Sequence, residues 1–463
     1  MQCDMKKYFN FVIFAVIITF LFIVGARLIN RPVGENDEGI YATTFLLVSR
    51  GYRLYKDVFF SQPPGFFLAI YPLFHFFGKT IQAGRLAVLI WSFVGVSSLF
   101  LLLLNRKHIY FAVFAVMSLF AVPLFFYQTA TLQADILAVV FTLLCFVAMN
   151  FFQQNRNYVW FFLSVFFGSL SFWTKFDLAA PGLLLIGLFL IGRKNSKRNQ
   201  VFNLYLLAAI IFFALSITLF LFIDFPAFLV NVVQLRTQAA KVYFFSLNRF
   251  LDLFKQNLLL SYIVICSVYF SFVKKDQSFI YNLLRVWFFV SFVSLFFFRP
   301  LFLHHLVFIV VPSILIFVWN IESYLSKKLL AFLIFSLGLL LVIRSWNVPQ
   351  TLASEELRKA IDFVNTHTKR GDFVVSDEAS IGILSLRLPP PNLSDISQVR
   401  ISSGNLSPVE FKKTLEIFKP KIIISWNGRL QSFPQFEGMV EKDYVVSAEF
   451  EKGKVIYLRR DSF

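Results

Sequence analysis

Two adjacent carboxylates, Asp37 and Glu38, open a segment that reads NDEGIYATTFLLVSRGYRLYKDVFFSQPPGFF. A positioned carboxylate can take the proton of an attacking hydroxyl, which is general-base chemistry. The same segment carries Tyr41, Arg53, Asp57 and Gln62, side chains able to hold a polar substrate. Farther along, Asp135 heads an apolar run in TLQADILAV, Lys175 ends another in WTKFDLAAPG, and Arg299, His304 and His305 gather in RPLFLHHLVFIVVP. Cations in such numbers suit a phosphate leaving group. Each feature also has a plainer reading. An isolated acid pair is more often a helix start, a terminal Lys can snorkel, and adjacent histidines cannot both point from a helix at one centre.

The elements that position these groups belong to a membrane. Of 463 residues, 58% are hydrophobic and 15% charged, whereas soluble domains run near ~45–50% and ~25%. The 64 Phe lie mostly in runs long enough for a hydrocarbon slab of ~30 Å. Reading between charges predicts about eleven spans, roughly 9–29, 83–104, 109–127, 135–152, 158–174, 178–192, 202–223, 257–273, 279–297, 303–320 and 329–343. The run from Phe66 to Phe77 is short and follows Pro63 and Pro64, which predicts an interfacial helix. With that parity Lys6, Lys7, Arg106, Lys107, Arg156, Arg193, Lys194, Lys197, Arg198, Lys274, Lys275, Lys327 and Lys328 fall in alternate connections. Basic loops stay cytoplasmic, so the amino terminus is expected inside the cell membrane and the acid pair outside. The first run lacks a small-residue cleavage pattern before Arg27 and reads as an uncleaved span.

The net charge of +18 is scattered in these small groups, which argues against a nucleic-acid partner. Cys3, Cys145 and Cys266 show no metal or redox spacing.

In the first outer segment Asn36 suits an amino-terminal cap, Asp37 and Glu38 the first turn, and Gly51 a stop. A helix over about 37–49 follows, with Asp37 and Tyr41 one turn apart and an apolar side suited to the bilayer surface. That location fits transfer from a lipid phosphate carrier to a polar acceptor. Arg50, Arg53, Lys56, Lys175, Arg236, Lys241, Arg249 and Arg299 share that side by parity.

After Trp346 the composition turns soluble. EELRKAIDFVNTH reads as an amphipathic helix, DFVVSD and KIIISW as buried strands, 408–418 as a helix and DYVVSAEFEKGKVIYLRR as a hairpin turning near Lys452 and Gly453. LPPPNLSDIS is too rich in proline to be regular. The expected organisation is a transmembrane domain over 1–345, with its catalytic loop at about 30–82, and an extracytoplasmic α/β domain over 346–463. Asp377 and Glu378 read as a strand-end turn.

The order DEGIYA, GYRLYKD, QPPG ahead of a short apolar helix resembles the first outer loop of the GT-C superfamily of glycosyltransferases. Within it the chain is similar to the bacterial dolichyl-phosphate-mannose-protein-mannosyltransferase-like group, related to protein O-mannosyltransferases and the aminoarabinose transferase. The resemblance implies an α-helical polytopic membrane protein of the GT-C type and an inverting hexosyl transfer. It implies a polyprenyl-phosphate-sugar donor and a lipid, glycan or protein acceptor at the outer face of the cytoplasmic membrane. It makes Asp37 the general base, with Glu38 beside it, and assigns Asp135, Lys175, Arg299, His304 and His305 to substrate binding. Where the aminoarabinose transferase has an acidic metal-holding residue, this chain has Ser61 and Gln62, so no metal or other cofactor is expected. A transporter or flippase is the competing class. It predicts deep polar groups and inverted repeats, and neither is evident here.

Overall fold

The computed structural model describes residues 2–34, 36–195, 198–273 and 276–462. Within these ranges the side chains of residues 2–4, 6, 7, 36, 194, 195, 198, 200, 323, 452 and 462 are not described. The expected cap Asn36 and the basic residues Lys6, Lys7, Lys194, Lys197, Arg198, Lys274 and Lys275 therefore lie outside the described side chains.

The expected spans fall on helical segments, the one at 109–127 on two. Among the described residues six helical segments, Tyr8–Asn30, Ile81–Arg106, Ala134–Asn155, Val201–Leu221, Leu303–Ile321 and Lys327–Trp346, are long and apolar enough by themselves to cross a membrane. A seventh crossing exists if the pair Leu247–Lys255 and Leu258–Val273, bent by 108°, counts as one. We label the helices in chain order: α1 (Gln2–Ala26), α2 (Asn36–Ser49), α3 (Pro64–Phe76), α4 (Ile81–Arg106), α5 (Ile109–Ala121), α6 (Pro123–Gln128), α7 (Ala134–Asn155), α8 (Tyr158–Lys175), α9 (Ala179–Asn195) and α10 (Arg198–Leu221). There follow α11 (Phe225–Phe228), α12 (Leu235–Val242), α13 (Leu247–Lys255), α14 (Leu258–Val273), α15 (Phe279–Ser294), α16 (Val307–Ile321) and α17 (Lys327–Trp346).

Helix α7 is the central post. Its residues are buried almost from end to end, and α4, α8, α9 and α16 pack around it. Apolar all round, it needs protein on every side. Helices α10 and α17 show most of their apolar side chains outward, as lipid-facing helices do. The expected span at 109–127 is broken, because Pro123 cannot donate to the α5 ladder and starts α6 instead. Helix α3 begins on Pro64 and runs 13 residues, about 20 Å, too short for a slab of ~30 Å.

Helix α2 departs from the amphipathic surface helix that its sequence suggests. Residues 38–47 are all buried, enclosed by α3, α4 and the carboxyl-terminal region. The apolar residues that would have met lipid meet protein.

Beyond α17 stand α18 (Glu355–His367), β1 (Val374–Ser376), α19 (Ala379–Ser385), α20 (Gln398–Ser402), α21 (Pro408–Phe418), β2 (Ile422–Ser425), α22 (Phe436–Val440), β3 (Tyr444–Phe450) and β4 (Lys454–Arg459). The sheet order is β1-β2-β4-β3, with β1 parallel to β2 and the other pairs antiparallel. Period-two alternation divides β2 between two cores, Ile423 facing one and Ile422 and Ile424 the other. Ile383 and Leu388 join the large helical core instead, so this region is seated on the helices. The seat is close. A Cβ on Gly39 of α2 would lie 2.6 Å from the Ser380 backbone nitrogen of α19, so only glycine fits there.

Candidate active site

A cavity of about 470 Å³ opens between α2, α8, α12, the segment 297–305 and the carboxyl-terminal region, within the usual range for small-ligand sites. Asp37, Tyr41, Gln62, Lys175, Arg236, Arg299, His304, His305, Asp395 and Arg429 give it its polar lining.

Asp37 sits in the first turn of α2, where the helix dipole favours a negative charge. It is half-buried, and the Gln133 side-chain amide lies 3.5 Å from its Oδ2. One turn on, the Tyr41 hydroxyl accepts a hydrogen bond from Gln62 Nε2 at 2.7 Å. Burial, then the charges of Asp37, Asp135 and Asp395, pushes its phenol well above the ordinary range. Tyr41 therefore keeps its proton as a donor. Gln62 is fixed from both ends: its Oε1 accepts from Arg236 Nη2 at 3.2 Å, and its carbonyl from the Tyr55 hydroxyl at 2.7 Å. Arg236 also lies over the Phe176 ring. The QPPG turn that carries Gln62 abuts α8, since a Cβ on Gly65 would lie 2.7 Å from the Trp173 carbonyl.

Much of the remaining lining is basic. Lys175, the last residue of α8, holds Asp135 Oδ2 at 3.1 Å. Asp135 stands behind it, 1% exposed, with His305 Nε2 3.7 Å from its Oδ1. Arg299 lies over the Phe245 ring, and His305 stacks on Phe298 at 4.2 Å.

Four of the sequence candidates do not line this cavity: Asp135, behind Lys175, and Glu38, Arg53 and Asp57. Glu38, next to Asp37 in the chain, points the other way and is wholly buried. Its carboxylate accepts from Arg85 Nε at 2.9 Å, Arg85 Nη2 at 2.6 Å and the Leu132 N–H at 3.0 Å, with Arg31 Nη2 at 3.8 Å. Burial alone would raise its pKa, but Arg85 first and then Arg31 and the Leu132 N–H outweigh it, leaving the carboxyl below its ordinary value. The pair ties α2 to α4. Successive helical residues face about 100° apart, so the two acids cannot share one task here. Arg53 and Asp57 form a bidentate pair with each other in an exposed turn.

Sequence reasoning missed Arg85, Gln133, Asp395 and Arg429. Arg85 had a signal, a charge within an apolar run, for which a partner should be sought. The others had none.

Asp135, His304 and His305 bring potential metal-ligand atoms within 4.8 Å of one another. Two observations oppose a cation there. The Lys175 ammonium already neutralises Asp135. The Phe302 N–H donates to His305 Nδ1 at 3.0 Å, so the neutral ring carries its proton on Nε2, the nitrogen facing the cluster. As arranged, the residues do not fit a metal.

Residues 61–221 match the family model of dolichyl-phosphate-mannose-protein mannosyltransferase. No curated protein matches the sequence. Among solved structures, crystal structures of ArnT from Cupriavidus metallidurans, one bound to undecaprenyl phosphate and one in the apo state, superpose with a TM-score of 0.68 at 13% identity. The first covers 96% of this chain and 97% of that one, the second 98% of each. The Archaeoglobus fulgidus oligosaccharyltransferase, in complex with zinc and sulfate, gives a TM-score of 0.57 at 14% identity, covering 96% of this chain and 73% of that one. At such identities the likeness is one of fold, and it runs nearly end to end. The chain thus shares its fold with the ArnT structures over nearly its whole length, and its middle segment matches the mannosyltransferase family model.

Proposed function

We propose that this protein is a membrane glycosyltransferase that moves a sugar from a polyprenyl-phosphate carrier to a hydroxyl-bearing lipid, glycan or protein, with Asp37 as general base. The observation that carries the reading is one cavity lined both by a half-buried carboxylate, Asp37, and by Lys175, Arg236 and Arg299. Those cations match a phosphate leaving group. The structural neighbour that binds undecaprenyl phosphate supports a donor of that class.

In the step we infer, the acceptor oxygen attacks the anomeric carbon while the bond from that carbon to the phosphate oxygen breaks. The hydroxyl proton passes to Asp37, and the polyprenyl phosphate leaves with the bonding electrons, its charge met by Arg236 and Arg299, with Lys175 a further hydrogen-bond donor from its pair with Asp135. A single displacement inverts the anomeric centre; a hexosyl group is the sugar we assign. Tyr41, held by Gln62, donates a hydrogen bond beside the reacting hydroxyl. The basic loops support an amino terminus in the cytoplasm, and we assign this cavity and the carboxyl-terminal domain to the outer face of the cell membrane. Topology aside, the test is chemical. Asp37→Asn should lower transfer by about 10²–10⁴-fold, as loss of a general base does. The Tm and undecaprenyl phosphate binding should be unchanged. Full product by mass spectrometry of envelope lipids and glycans from cells carrying the variant would refute the assignment.

A further inference from the structure

The segment LPPPNLSDIS is irregular, yet it carries an acidic side chain to the cavity. Asp395 is 3% exposed and lines the same space as Asp37. Its setting is built. The Ser394 hydroxyl donates to the Phe59 carbonyl at 3.1 Å, and the Arg400 guanidinium covers the Phe59 ring at 3.7 Å. Gly39, the residue directly after the acid pair, admits the α19 backbone. These contacts fix Asp395 relative to α2.

Arg400 is the obvious counter-ion, but its Nη1 donates to main-chain carbonyls, those of Asn392 at 2.6 Å and Asp395 at 2.8 Å. It shapes the loop and leaves the carboxylate to Ser397, whose N–H reaches Oδ1 at 2.8 Å. A carboxylate has about four acceptor positions, so capacity remains toward the cavity. Burial raises the Asp395 pKa, opposed chiefly by Arg400 and Ser397 and reinforced by Asp37. The two acids thus feel each other across the space. A phosphate is repelled from such a wall, whereas a hydroxyl is attracted to it.

We propose that Asp395 binds a hydroxyl of the acceptor, making the carboxyl-terminal domain one wall of the active site and the part of the chain that selects a polyhydroxylated acceptor. The proposal rests on the transferase reading above. Arg429, which also lines the cavity, is placed by the same domain: Asp377 accepts its N–H at 2.8 Å and those of Trp426 and Asn427 at 2.6 and 3.0 Å.

The test uses full-length protein in nanodiscs with undecaprenyl phosphate as the binding probe, and complemented deletion cells whose envelope products are read by mass spectrometry. Asp395→Asn should lower product by at least about tenfold, the usual cost of one polar contact made in the transition state, while undecaprenyl phosphate binding stays within about twofold. Asp395→Glu keeps the charge and moves it by one methylene. It should show the same split in milder form and serves if the amide variant does not fold. Product at the wild-type level, or probe binding that falls in step with product as in Arg236→Gln, overturns the proposal. If wild-type and deletion cells have identical envelopes, the transferase reading itself fails, before any Asp395 variant is compared.

Discussion

Replacing Glu38 by Gln removes one negative charge from a place where both partners are sealed from water. The side chains of Glu38 and Arg85 are each 0% exposed. Two of the Arg85 bonds go to that carboxylate, and the rest go to the carbonyls of Ile29, Arg31 and Pro32. Gln keeps one acceptor oxygen, but its amide nitrogen faces a guanidinium and leaves that cation unmatched. Breaking a buried pair in this way costs about 3–5 kcal/mol. On about 1–2 °C per kcal/mol for a chain of this size, Tm should fall by roughly 3–10 °C. Arg85→Gln should cost a similar amount, and the double variant less than the sum of the two. The sign with pH follows from the lowered carboxyl pKa. The stabilisation is complete above the unfolded carboxyl's pKa and is lost as pH falls through the lower folded value. The gap in Tm between wild type and Glu38→Gln should therefore be full at pH 7 and close only in strong acid. The assay is tryptophan-monitored melting in detergent across that range, with transfer measured below both melting points. A Glu38→Gln protein as stable as wild type but inactive would refute the reasoning and make Glu38 a catalytic partner of Asp37.

Other outcomes follow from the same geometry. Gly39→Val should lift α19 from α2, since the first added carbon already meets backbone at 2.6 Å; overpacking of this kind costs about 1–3 kcal/mol, and limited proteolysis should release the carboxyl-terminal domain. Arg236→Gln should weaken undecaprenyl phosphate binding by about tenfold or more, because one charge-assisted hydrogen bond is worth roughly 1.5–3 kcal/mol, and the loss should shrink at high salt. Tyr41→Phe should lower transfer more than donor binding, because it removes the hydroxyl that Gln62 holds; equal losses in both would place Tyr41 on the donor side.

Much of the fold was legible because periodicity reports local structure. The helix predicted at about 37–49 appears as Asn36–Ser49, and the carboxyl-terminal strands and hairpin fall where their alternation put them. Asp37, Tyr41, Gln62, Lys175, Arg299, His304 and His305, each singled out separately in the sequence, line one cavity. What stayed hidden depends on long-range pairing. The different surroundings of Asp37 and Glu38 were invisible in the dipeptide, because Arg85 lies 47 residues on. The burial of α2 depended on what covers it, and its cover, α19, is more than 300 residues away. Asp395 sits in a proline-rich stretch with no period, so nothing local marked it. The expectation for Arg53 and Asp57 missed that each is the other's nearest partner.

The docking of α19 on α2 also has a temporal meaning. The cavity draws Asp37 from near the start of the chain and Asp395 and Arg429 from near its end. A ribosome-bound chain arrested short of residue 395 can hold every lipid-contacting helix and still present an unfinished chamber. The chamber is therefore completed only by the last part of the chain to be made.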